Sequence, residues 1–325
     1  MGQELLTRRT GSYKIARRSS ACTSGGWAPD EDRFVFDMNL LPFIASGIGL
    51  GAVYALSSVG LVILYRASGT LNFAFGAFGG VSAFLAWQMR HEGVPLPISW
   101  AAGIAISTGI AYCYGRVFAP RLAHRDRVVR AIATLGLALV LFGGMAWYWG
   151  VGVARRLELP TDLSAVTLFG VRLTGTRLVA LGVALFMAGS VGLLLSYTRI
   201  GLGMRALASD RHISAAIGVR VAQIDTIAWT LNGLFAGIAG ILLGNINRLD
   251  PGALTFLVIP AIAAAIFARL SSLPGAFIGG MVAGQIEALL IAFPDLANFR
   301  SAGPYVAALL FLMIVGVGHG VGARE

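Results

Sequence analysis

Charge is scarce in this chain. Only 12% of its 325 residues are Asp, Glu, Lys or Arg, roughly half the share found in a soluble domain. Hydrophobic residues make up 57%, and the mean hydropathy is +0.77; a water-soluble globule is thereby excluded. Lysine is scarcer still: Lys14, next to Tyr13, is the single one. A phosphate-binding loop ends in Gly-Lys-Ser/Thr, so this chain is not expected to hydrolyse ATP by that route. Cysteine is limited to Cys22 and Cys113, which gives neither a disulfide framework nor a Cys-based metal site. The four histidines, His91, His124, His212 and His319, stand singly in loops or at the ends of apolar runs, without metal-ligand spacing. His-Glu-x-x-His, a Gly-x-Ser-x-Gly elbow and paired intramembrane carboxylates are also missing. No catalytic residue, metal or cofactor is therefore assigned, and the chain is not expected to be an enzyme.

What is present is a series of apolar runs of about the length that spans a bilayer as a helix. They cover 40–64, 96–118, 131–150, 177–197, 224–247, 254–268, 275–293 and 303–318. A β-barrel would show short alternating segments instead. The fold class is all-α, a polytopic transmembrane helical bundle of eight to nine spans. The ninth is the glycine-rich segment 70–87. Asn72 stands at its mouth, with glycines at 69, 76, 79 and 80. This fits a broken or re-entrant helix whose free backbone groups line a cavity; it also fits a capped ordinary span with close helix packing. If the segment spans fully, the first span starts outside; if it re-enters, inside. Gly76-Ala-Phe-Gly-Gly80 and Gly275-Ala-Phe-Ile-Gly-Gly280 echo each other across the two halves, as an internal repeat does and as chance among 43 glycines also allows.

The net charge of +10 is spread through loops beside these runs, so it signals topology and not nucleic acid. The loop 119–130, with Arg121, Arg125, Arg127 and Arg130, is cytoplasmic by the positive-inside rule. Trp147-Tyr148-Trp149 marks the far interface, and the loop 151–176 beyond it is external, with a hairpin pattern over 166–174. Residues 1–37 are polar with nearly balanced charge and read either as a disordered extension or as the product of a start codon set too early, since Met38 opens the first apolar run. The transmembrane domain is 38–325.

The segment 198–221, Thr-Arg-Ile-Gly-Leu-Gly-Met-Arg-Ala-Leu-Ala-Ser-Asp-Arg-His onward to Val221, lies between two spans and carries four arginines before Val221, which places it in the cytoplasm. Residues 202–208 suit a short helix, Ser209-Asp210 offers an N-cap for a second over 211–217, and Gly218 stands where a glycine stops a helix. Such a compact knob suits docking to a cytosolic partner. Inside the spans, Glu287 is the carboxylate that invites a functional reading, either as a pathway residue or as a structural pair.

Three groups of residues give the chain a family resemblance. The first is Tyr54-Ala-Leu-Ser-Ser-Val-Gly-Leu-Val-Ile-Leu-Tyr-Arg66 running into Leu71-Asn-Phe-Ala-Phe-Gly76. The second joins Arg205-Ala-Leu-Ala-Ser-Asp210, Ala215-Ala-Ile-Gly-Val219 and Leu234-Phe-Ala-Gly-Ile-Ala-Gly240. The third is Ser272-Leu-Pro-Gly-Ala-Phe-Ile-Gly-Gly280 with Glu287. In this order and spacing the chain resembles permeases of the branched-chain amino acid ABC transporter family. The resemblance implies an inner-membrane subunit that works with cytosolic ABC ATPases, a second permease (as a heterodimer), an extracytoplasmic solute-binding protein and the surrounding lipid. It implies a coupling role for Arg205, Ala206, Asp210, Ala215 and Gly218, a translocation-pathway role for Asn72, Phe73, Phe75, Gly76 and Glu287, and a structural turn at Pro274 and Gly275. For Arg205 a snorkelling anchor to lipid phosphate is the other reading. Relatives commonly carry a polar residue where this chain has Phe75, an acidic one where it has Ala77, and paired glycines where it has Ala268-Arg269, so the solute stays open among amino acids, amides and urea-like molecules. Two alternatives remain at this level: a stand-alone channel or secondary transporter, and an ABC permease for sugars or nucleosides.

Overall fold

The computed structural model describes residues 41–293 except 154, 158, 163, 169 and 170, together with 296, 299, 302, 303, 305, 306 and 309. The segment 1–37 and most of the expected span 303–318 lie outside the described residues. In a bilayer a backbone finds hydrogen-bond partners only within itself, and the apolar runs accordingly become helices. Helix α1 (Leu41–Ser68) is followed by α2 (Phe75–His91), α3 (Leu96–Leu122) and α4 (Arg127–Trp149). A hairpin comes next, β1 (Ala165–Leu168) antiparallel to β2 (Val171–Thr174), with Ala165 opposite Thr174, where the sequence pattern places it. Then follow α5 (Gly175–Tyr197), the short α6 (Arg199–Ser209) and α7 (Arg211–Ala216), α8 (Val221–Ile246), the short α9 (Pro251–Thr255) and α10 (Val258–Phe267), and α11 (Leu273–Leu290).

Among the described residues six helices, α1, α3, α4, α5, α8 and α11, are long and apolar enough to cross a membrane. Two further stretches, α2 and the α9–α10 pair, are shorter. The bundle has two helices at its centre: 94% of the most apolar window of α1 is buried, and 72% of that of α8. The corresponding figures for α3, α4 and α5 are 22%, 17% and 22%. Where α1 crosses α11, a β-carbon added to Gly284 would lie 2.2 Å from the Cα of Gly51, so the two backbones touch, as small residues permit between membrane helices.

The boundaries move where arginines reach the interface. Helix α3 continues past residue 118 to Leu122 through a π-helical turn at Tyr114–Phe118, and the Arg121 guanidinium folds back to donate to the Val117 carbonyl. Arg130, expected in the following loop, lies inside α4.

The glycine-rich segment crosses the bundle in two parts. Residues 69–74 run back inward from the end of α1, and α2 continues to the opposite end, where the Trp149 indole donates to Gln88 at 2.9 Å. The crossing is therefore complete, and with the arginine-rich ends cytoplasmic, Leu41 stands at the outer face.

Candidate functional site

The knob at 198–221 forms as its residues dictate. The Thr198 hydroxyl accepts from the Gly201 N–H at 3.1 Å and caps α6. Asp210 caps α7 by accepting from the Ile213 N–H at 2.9 Å. Gly218 ends it with φ of +91°, while its N–H and that of Val219 donate to the Ala215 and Ser214 carbonyls at 3.1 and 3.0 Å. This is the paired closing pattern that needs a left-handed residue. The inner face of the knob buries Met204, Leu207 and Ser214. Its outer face shows Ala215, Ala216 and Gly218, with Ile213 at 63% and Ile217 at 74% exposure.

A charged side chain also ties the knob to the bundle. Arg211 donates to the carbonyl of Ala67, at the end of α1, at 3.1 Å, and forms an ion pair with Asp225 on α8. Neither residue was singled out by sequence. Asp225 lies near the end of its apolar run, and its partner is 14 positions away, so only the folded chain shows the pair. Arg205 and Asp210 line the same cytoplasmic cavity of about 970 Å³, which is also bordered by Arg66, Arg127, Arg130 and Arg269. Ala206 is half-buried.

Beside this anchor a series of polar contacts leads into the membrane. Arg130 donates to the Ser68 carbonyl at 2.7 Å and to the Thr70 hydroxyl at 3.1 Å. The Thr134 hydroxyl accepts from the Phe73 N–H at 3.1 Å and lies 3.2 Å from the Leu71 carbonyl. Asn72, wholly buried, accepts from the Ala74 N–H at 2.9 Å and donates to Asn232 at 2.7 Å. Asn232 in turn donates to the Gly60 carbonyl at 3.0 Å. Gly60 lies eight residues before Ser68, about 12 Å along α1, so the unwound stretch reaches well into the apolar layer. These side chains satisfy the backbone groups that the missing helical turn leaves free.

Asn72 thus belongs to a broken crossing whose amide is spent on structure. Phe73 is half-buried and Phe75 wholly buried; the Phe75 ring packs where α1 passes α8, within 3.2 Å of a β-carbon added to Gly60. Gly76 sits against the second break, where an added β-carbon would come 2.2 Å from the Thr255 carbonyl oxygen. The two interrupted crossings therefore meet backbone to backbone. Glu287 on α11 accepts from the Tyr54 hydroxyl at 2.7 Å. Pro274 and Gly275 form the start of α11, where the Ser272 hydroxyl accepts from the Gly275 N–H at 3.1 Å. Just before it, Arg269 and Leu270 take φ of 52° and 55°, the conformation for which glycine is the natural choice. The signal that would have found Asn232 is plain in retrospect: an amide in the middle of an apolar run must bond to something.

At the outer end, Asp162 accepts from Leu159 N–H and Asn245, each at 2.9 Å, and from the Thr176 hydroxyl. Partial burial pushes its pKa up, but these hydrogen bonds outweigh burial and hold it below the usual carboxylate range.

The family described as "Branched-chain amino acid transport system / permease component" matches residues 43–318. The high-affinity branched-chain amino acid transport system permease protein LivH of Salmonella typhimurium is 24% identical over 289 residues, covering 84% of this chain and 92% of that protein. BraD of Pseudomonas aeruginosa, named likewise, is 25% identical over 261 residues, covering 75% of this chain and 84% of that one. LsrC of Escherichia coli O9:H4, an autoinducer 2 import system permease protein, is 27% identical over 294 residues, covering 87% and 80%. The matched stretch takes in the knob, both broken crossings and Glu287, and the chain belongs to this family of transport-system permease components.

Proposed function

We propose that this chain is the permease subunit of an ATP-driven importer of the inner membrane. It forms half of a translocation pathway for a small polar solute, a branched-chain amino acid or a related amide. Its partners in this reading are a second permease, cytosolic ABC ATPases and an extracytoplasmic solute-binding protein. The observation that carries the reading is the fastening of the knob by Arg211 to both central helices, at Ala67 on α1 and Asp225 on α8. An ATPase bearing on the exposed face around Ala215, Ile217 and Gly218 would move Arg211. Through it the load would reach the unwound stretch at Asn72, Phe73, Phe75 and Gly76. Arg205 and Asp210 line the cytoplasmic cavity beside the knob, Ala206 is half-buried next to Arg205, and Glu287 with Tyr54 lies toward the outer half of the path.

The test is co-purification of the tagged chain in mild detergent, followed by uptake in proteoliposomes. A stoichiometric Walker-motif ATPase with ATP-dependent uptake is the expected result. Uptake that survives ATP depletion and follows an ion gradient would overturn it in favour of a secondary transporter. Gly218→Pro sharpens the coupling role, because proline cannot adopt φ of +91°. Uptake should fall by at least tenfold with insertion intact, and normal uptake removes the coupling role.

A further inference from the structure

We propose that a single ordered water molecule binds in the small cavity beneath the knob, where α1, α3, α4, α7 and α8 converge, and completes the anchoring of Arg211 and Asp225. The cavity is bordered by Ser68, Thr70, Tyr114, Arg130, Asp225 and Trp229, among others, and leaves about 10 Å³ for the centre of a water-sized sphere. That is about the least space that holds one water.

Three buried polar atoms among the residues of its wall have no hydrogen-bond partner: Arg130 Nε, Asp225 Oδ1 and Trp229 Nε1. Trp229 is 1% exposed and Asp225 7%, so bulk solvent does not serve them. The other oxygen of Asp225 is already held by Arg211, and the Nη1 of Arg130 by Ser68 and Thr70. Leaving such groups bare is costly, and buried polar atoms in folded proteins are almost always paired.

The chemistry of the three atoms selects the ligand. Arg130 Nε–H and Trp229 Nε1–H can only donate, and the ionised Asp225 oxygen can only accept. The occupant must therefore accept two hydrogen bonds and donate one. A metal cation accepts nothing and meets two guanidinium groups. A halide donates nothing and meets a carboxylate. Water does both, and three bonds is the usual number for a buried water. The site stands on these residues alone, whichever solute the permease carries.

The test uses the full chain in lipid nanodiscs, imaged at a resolution that shows ordered water. A density peak within hydrogen-bond distance of Trp229 Nε1, Arg130 Nε and Asp225 Oδ1 is expected. Indole nitrogen labelling gives an independent reading in solution. The chain has six tryptophans, and Trp229→Phe keeps the ring that packs on Tyr114 at 4.5 Å while deleting one indole signal. That signal should show magnetisation transfer from a bound water in the wild-type protein. Three results would overturn the proposal. One is direct pairing of these atoms with protein groups, another is an indole proton without water contact, and the third is a peak that bromide replaces, which would mark an anion.

Discussion

Helices α1 and α4 are equally apolar, each with a mean hydropathy of 2.0 over its most apolar window, yet 94% of that window is buried in α1 and 17% in α4. Hydropathy therefore decides that a segment enters the membrane and says nothing about where in the bundle it lies. What separates the two is the set of groups that let other backbones come near. Helix α1 brings Gly51 against Gly284 and places hydroxyls such as Ser58, which donates to the Ala276 carbonyl at 2.6 Å. Helix α4 turns Leu139 and Val140 outward, at 59% and 70% exposure. Lipid is as apolar as leucine, so only packing and polar bonds can draw a helix to the centre.

Adding bulk at the centre is the strongest way to break this contrast. Gly284→Val should leave no folded protein in mild detergent, because its β-carbon would meet the Gly51 backbone, which cannot yield. Val140→Ala on α4 should change stability by less than about 0.5 kcal/mol. Equal elution profiles for the two variants in size-exclusion chromatography would sink the argument.

Next in size is Arg211→Ala, which leaves the Asp225 carboxylate buried without its ion-pair partner. Breaking a fully buried pair costs about 3–5 kcal/mol. The Arg211 side chain is 31% exposed, and solvent screening reduces the expected loss to about 2 kcal/mol. Thermal unfolding of the variant measures it, and Arg211→Lys should recover only part, since an ammonium lacks the forked grip on Ala67 and Asp225.

Asn232→Ala strands the Asn72 amide and should cost about 1–3 kcal/mol. The double variant with Asn72→Ala should cost less than the sum of the two single changes, and strict additivity would show that the relay is not one unit. On the α4 side, Thr134→Val removes the acceptor for the Phe73 N–H and should cost about 1 kcal/mol. A Thr134 effect as large as that of Asn232 would erase the distinction between central and peripheral helices.

The smallest effect concerns the outer lip. Asp162 has a depressed pKa in the folded chain, so its contribution is complete above the unfolded carboxylate pKa and fades as pH falls through the lower folded value. Protease nicking of the 151–176 loop should therefore rise only below the usual carboxylate range. Asp162→Asn should flatten that rise.

The contrast also marks what could be read in advance. The knob was legible because its determinants are local: Asp210 caps the turn it precedes, and Gly218 closes the helix it follows. The broken crossing was one of two readings its residues allowed, beside a capped ordinary span, with Asn72 two residues from the Ala74 N–H it accepts. Its completeness was not legible, since that rests on Thr134 and Asn232, which lie 61 residues from Phe73 and 160 from Asn72. Glu287 drew notice as an intramembrane carboxylate, but its hydrogen bond from Tyr54 spans 233 positions. Phe75 stood out as a departure from the polar residue relatives commonly carry, and its ring is wholly buried in the chain. Periodicity and caps act over a few residues, and partners across the bundle leave no local trace.

The two interrupted crossings have a consequence for how the chain is made. Neither α2 nor the α9–α10 pair reaches the length of an independent insertion signal, and the unwound Gly69–Ala74 stretch weakens the first further. Each lies between strongly apolar neighbours whose arginines, Arg66 and Arg127 on one side of the chain and Arg220 and Arg269 on the other, hold fixed ends in the cytoplasm. During biogenesis the flanking helices therefore determine the threading, and the weak crossings are drawn into place by them. The elements at the heart of the proposed pathway are thus the last to find their own reason to stay in the membrane, and they stay because the bundle closes around them.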